Sequence, residues 1–227
     1  MNSEKKLTMK TTGFALTAIA AVAILSVTAS AQLPMLDDFS GKAYVKTLKA
    51  TQTGQTDAHY EALPHGSPVG AARYTYFQVE EEGTYAQSST LDIGNGVCIV
   101  DSGFQNDSAL EILYGTNLKG DQVPMELNLS SYSGLQLSFA GIVSTEGLDV
   151  NIEIWPSSGG YYVAAQGLPT NGNSFTVDFP FTTFSGAGGT LTQTEVENIS
   201  YIIIVTEGEG DADVTDSFGI TSFQAYN

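Results

Sequence analysis

Trp155 is the only tryptophan of this chain. It ends the segment Leu148-Asp149-Val150-Asn151-Ile152-Glu153-Ile154-Trp155, in which apolar and polar residues alternate. As a strand, this segment puts Leu148, Val150, Ile152 and Ile154 on one face and Asp149, Asn151, Glu153 and Trp155 on the other. An indole flanked by carboxylate and amide groups has the chemistry of a sugar site. The ring covers the apolar C–H face of a pyranose, and the polar groups take its hydroxyls. Tyr161 and Tyr162 follow the turn Pro156-Ser157-Ser158-Gly159-Gly160 and return towards this platform. The alternative is a tryptophan packed at a strand end, under a loop, by Pro156.

A second constellation is acidic. Glu207, Glu209, Asp211, Asp213 and Asp216 put five carboxylates into ten residues. Calcium takes six to eight oxygen ligands, and a flexible loop of carboxylates can supply them. The spacing lacks the glycine position and the helical flanks of an EF-hand, and a solvated hairpin loop has the same composition. His59 and His65, with Asp57 and Glu61 nearby, offer zinc-type ligands in what reads as a loop, without a zinc spacing motif. Arg73, the only arginine, is expected to pair with a partly buried carboxylate.

Catalytic signatures are missing. The chain has no Gly-x-Ser-x-Gly elbow, no phosphate-binding glycine loop with lysine, and no His-Glu-x-x-His. A glycosidase needs two carboxylates across one bond, and sequence alone does not pick such a pair from so many acids.

Residues 1–31 read as an export leader. Lys5, Lys6 and Lys10 precede an apolar run from Phe14 to Val27, which ends in the small-x-small site Ala29-Ser30-Ala31. The run is short and alanine-rich for a membrane span. Residues 32–227 are then one domain, secreted or periplasmic, with no membrane insertion after cleavage. Three of the eight basic residues and one of the 25 acids fall in the leader, which leaves 5 − 24 = −19. From Gly120 onwards there is no Lys or Arg. Such a surface repels phosphate backbones and anionic headgroups, which argues against nucleic-acid and membrane-surface roles. Cys98, the single cysteine, has no partner for an internal disulfide and reads as a small buried hydrophobe.

The elements that must position these groups are strands. Short runs of β-branched and aromatic residues are separated by Gly, Asn, Asp and Ser. Strands are expected over Val69–Val79, Val97–Val100, Ala109–Gly115, Pro124–Leu129, Ser133–Ala140 and Phe218–Tyr226. A loop is expected over Thr56–Pro68, and a helical turn over Thr192–Asn198. Ile199 to Val205 is apolar nearly throughout, as in a central strand covered on both faces. About a dozen short strands in one domain predict an all-β, two-sheet antiparallel sandwich, with a jelly roll the expected form.

At the level of fold the chain resembles the galactose-binding-like jelly rolls found in many secreted carbohydrate-binding modules. The residues that carry this are Leu36-Asp37-Asp38-Phe39, Gly134 to Phe139 with Leu148 to Trp155, Phe175 to Phe179, and Glu197 to Ile204 with Phe218 to Phe223. The resemblance is best from Ser133 to Tyr226. It implies a structural calcium tying the first strand to the last, with Asp37 and Asp38 as first-strand ligands. Members often carry an acid just before the closing-strand isoleucine. Here that position is Gly219, and Asp216 lies upstream. Fold resemblance alone does not assign function. The leading expectation is a non-catalytic domain for carbohydrate or another extracellular polymer. The alternatives are a structural or adhesive protein of an envelope or matrix, and a polysaccharide-active enzyme.

Overall fold

The computed structural model describes residues 34–51, 54–81, 86–144, 147–208 and 216–227. The expected leader and Glu209, Asp211 and Asp213 of the acidic loop lie outside the described residues.

Two antiparallel sheets of eight strands face each other. The first sheet contains β1 (Met35–Asp37), β2 (Tyr44–Lys49), β5 (Ser88–Gly94), β6 (Val97–Asp101), β8 (Gly134–Val143), β11 (Asn171–Gly172), β12 (Phe175–Pro180) and β16 (Ser217–Tyr226). The second contains β3 (Gln55–Ala62), β4 (Ala72–Glu81), β7 (Asn106–Thr116), β9 (Leu148–Pro156), β10 (Tyr162–Gly167), β13 (Ser185–Gly186), β14 (Gly189–Thr190) and β15 (Ile199–Gly208). The chain passes repeatedly from one sheet to the other, as in a β-sandwich. One short helix, α1 (Gln193–Val196), starts at Thr192 with a capping box. There Glu195 Oε2 accepts the Thr192 backbone N–H at 2.8 Å and its hydroxyl at 2.6 Å. Among the described residues no helix is long and apolar enough to cross a membrane.

The core lies between the sheets. Leu148, Val150, Ile152 and Ile154 of β9 are buried, as the alternation requires. They are joined in one buried cluster by Leu110 and Ile112 of β7, Leu137 and Phe139 of β8, and Ile220 and Phe223 of β16. Each such side chain contributes about 1.5–3 kcal/mol on leaving water. Cys98 is buried here too, and burial pushes its thiol up to about 12.

Three expectations are corrected. Thr56–Pro68 is not all loop. Gln55–Ala62 forms β3, an edge strand paired along its length with β4. An edge strand needs little apolar alternation, because one face and one backbone edge stay in water. His59 of that strand stacks on Tyr44 with ring centroids 3.7 Å apart, rather than joining His65 at a metal. Pro124–Leu129 is not a strand: its backbone turns left-handed at Glu126, and it makes only an isolated bridge, Leu127 to Ile199. Finally, β15 is not covered on both faces. Ile199, Ile202 and Ile204 are buried, whereas Tyr201, Ile203 and Val205 are half-buried on the outward face.

Candidate binding site

The outward face of the second sheet carries the site. Trp155 on β9 is half-buried, with its indole N–H donating to Glu153 Oε2 at 3.1 Å. The Tyr161 ring stacks on it, with centroids 5.0 Å apart and planes 20° apart. Directly across the ladder, Tyr201 of β15 pairs with Trp155. Tyr201 lies down against the sheet because the next strand has Gly115 at that point. A Cβ on Gly115 would come within 2.6 Å of both the Tyr201 ring and the Ser200 carbonyl oxygen. Trp155, Tyr201, Ile203 and Leu113, with Gln122 at the rim, enclose a cavity of about 140 Å³.

Tyr201 also lines a second, polar groove of about 720 Å³. Its functional groups are Glu126, Asn128, Ser157, Glu197 and Asn198. Glu197 and Asn198 follow α1, so the capping box that starts the helix also sets where they emerge. Glu126 sits in the segment Pro124–Leu129, beside β15. Its φ of 53° lies in the left-handed region that residues with a side chain rarely adopt. Two backbone bonds hold it there, Met125 N–H to Ser200 O at 3.1 Å and Leu127 N–H to Ile199 O at 3.0 Å. Neither Glu126 nor Glu197 belongs to an ion pair among the described residues.

The aromatic surface continues across the sheet. Tyr74 of β4 pairs with Leu113, and Tyr60 of β3 pairs with Tyr74, their rings 4.7 Å apart. From β9 to β3 is four strand spacings of about 4.8 Å, or about 19 Å.

Of the sugar-site residues expected from sequence, the structure brings together Trp155, Glu153 and Tyr161. Asn151 and Asp149 share their face but recede along β9. Asp149 is six residues from Trp155, about 20 Å at strand rise, too far for one sugar ring. Tyr162 is corrected. It pairs with Ile154, is buried on the core face, and donates its hydroxyl to Glu195. One step along a strand reverses the side chain, so Tyr161 and Tyr162 cannot share a platform.

The metal candidates are scattered. Asp37 is corrected as a calcium ligand, because its carboxylate is already used. Oδ1 accepts the Phe39 backbone N–H at 2.8 Å, and Oδ2 accepts from Arg73 at 2.7 Å and from the Tyr114 hydroxyl at 2.9 Å. Asp38 is exposed and accepts the Ser40 N–H. Asp216 is buried, and burial raises its pKa despite a hydrogen bond from Ser144. The backbone of Glu207 lies in β15. Among the described residues no three His, Cys, Asp or Glu side chains are grouped to hold a metal.

Sequence reading missed Tyr201, Leu113, Gln122 and the five groove residues Glu126, Asn128, Ser157, Glu197 and Asn198. A tyrosine interrupting an isoleucine run was the one available signal for Tyr201. Leu113 comes from β7, and the others come from segments outside the strands that meet only in the fold.

No protein-family profile and no curated protein sequence matches the chain significantly. In structure it is similar to the family 11 carbohydrate-binding module from Clostridium thermocellum, solved with a β-1,3-1,4-mixed-linked tetrasaccharide. The two are 13% identical with a TM-score of 0.40, over 86% of this chain and 95% of that one. It is also similar to carbohydrate-binding modules of the β-sandwich superfamily, at 8% identity and a TM-score of 0.32, over 82% of this chain and 58% of that one. An exo-β-agarase matches at 10% identity and a TM-score of 0.39, over 85% of this chain and 25% of that one. Likenesses at this level say nothing of what this chain binds.

Proposed function

We propose that this is an exported, non-catalytic β-sandwich domain that binds a polysaccharide on the outward face of its second sheet. The observation that carries the reading is the Trp155–Tyr161 stack, paired with Tyr201, which also lines a groove of amides and carboxylates. Flat aromatic surface beside fixed hydrogen-bonding groups is what a sugar ring needs. Export rests on residues 1–31 acting as a cleaved leader. The test is a glycan array with the protein and its Trp155→Ala variant. Binding lost in the variant supports the reading, and binding to no glycan overturns it.

One observation favours an enzymatic reading. Glu126 and Glu197 line the same groove, and two carboxylates flanking a bond can hydrolyse it. Release of reducing ends from mixed polysaccharides, abolished by Glu197→Gln, would establish that activity instead.

A further inference from the structure

We infer that the groove selects its glycan by charge, taking a cationic amino-sugar polymer with free amines and turning away uronate or sulfated chains. The inference rests on the carbohydrate reading above. It starts from the side chains around the aromatic floor. Glu153 touches the Trp155 indole, and Glu126 and Glu197 line the groove next to Tyr201. Among the described residues no Lys or Arg lines either the platform cavity or the groove. The last cation of the chain, Lys119, is exposed in the turn before Gln122 and lines neither.

A neutral sugar needs donors as well as acceptors around its hydroxyls, and amides suffice for both. Free carboxylates supply acceptors alone. Each ammonium group of an amino sugar brings three donors and a positive charge, matching an acceptor-rich, unneutralised groove. The aromatic floor adds to this, because a cation close to an indole or phenol face is attracted by the ring. An anionic chain would meet the opposite field at every step. The hydrogen bonds on either side of Glu126 fix its backbone at the edge of the groove, and its side chain is exposed there.

The single tryptophan makes the experiment direct, because its fluorescence reports from the platform itself. The full-length mature protein is titrated at mildly acid pH, where sugar amines are protonated. The probes are a glucosamine hexasaccharide, its fully N-acetylated counterpart, a cello-hexasaccharide and a uronate hexasaccharide. The free-amine probe is expected to bind about tenfold tighter than the N-acetylated one at low salt, as two partly exposed charge pairs allow. That advantage should vanish at about 1 M salt, where screening extends only about 3 Å. Glu126→Gln with Glu197→Gln should remove it at low salt. Asp92→Asn with Asp101→Asn, the same change of charge on the first sheet, should keep it. Equal or tighter binding of the neutral probes overturns the inference, and so does an equal loss in the first-sheet pair, which would mean attraction to net charge alone. If neutral probes bind through Trp155 without charge preference, only this inference fails. If no probe perturbs Trp155 or binds by calorimetry, the carbohydrate reading fails with it.

Discussion

The Arg73 guanidinium donates to Asp37 Oδ2 at 2.7 Å across the interior, from β4 of the second sheet to β1 of the first. Its other terminal nitrogen donates to Glu61 of β3, and its charge lies 4.9 Å over the Phe39 ring. Arg73 is 1% exposed. The Tyr114 hydroxyl completes the cluster, and burial beside Asp37 raises its pKa. Removing one partner of a buried ion pair leaves the others unpaired and costs about 3–5 kcal/mol. Arg73→Met should therefore lower unfolding stability by that amount, measured by urea denaturation. Replacing Arg73, Asp37 and Glu61 together with apolar residues of similar volume should recover most of the loss.

Trp155→Ala and Tyr201→Ala should each weaken glycan binding by about 2 kcal/mol or more, about thirtyfold, as truncation of an aromatic anchor does. Both side chains are half-buried on the outward face, so thermal unfolding should move far less than for a core leucine. Glu153→Ala should have a smaller effect, near 1 kcal/mol, because it removes a carboxylate and the hydrogen bond that orients the indole but leaves the aromatic ring. Calorimetric titration of the three variants gives the ranking.

Asp216 sets a pH dependence. Burial raises its folded pKa above the ordinary carboxylate value, so the fold prefers the protonated form. Its stabilising contribution is complete below the unfolded-state pKa and is lost as pH rises through the raised one. Its Oδ1 is buried without a partner, which adds to the cost of the charge. Asp216→Asn should thus raise the unfolding midpoint at neutral pH and flatten its decline between acid and neutral. An unchanged slope would remove Asp216 as the cause.

The Cys98 thiol, buried and pushed up to about 12, carries almost no thiolate at neutral pH. Native protein should resist iodoacetamide, and unfolded protein should take up one equivalent, as read by mass spectrometry.

Legibility in the sequence followed where one residue's environment is set by its own strand. The alternation from Leu148 to Trp155 gave both the buried row and the outward indole, because a strand with one wet face must alternate. Arg73 was also readable, since a lone arginine in an acid-rich chain has carboxylates to find. The edge strand β3 was not, because its polar residues and following prolines look like a loop until β4 is placed beside it. Groups recruited from separate segments left least trace. Glu126 and Glu197 line one groove, and Trp155 and Tyr201 one cavity, only once β15 lies between the segment before β8 and the end of β9. Tyr162 was misassigned because the turn length alone does not fix which of two adjacent tyrosines faces outward.

Arg73 gives the leading strand a clasp that belongs to the polypeptide. A positive charge carried on a covalent tether cannot be leached by a chelator, exchanged for a competing ion, or lost by dilution into mineral-poor water. The join between β1 and the opposite sheet is therefore complete as soon as the chain has folded, whatever dissolved salts surround it.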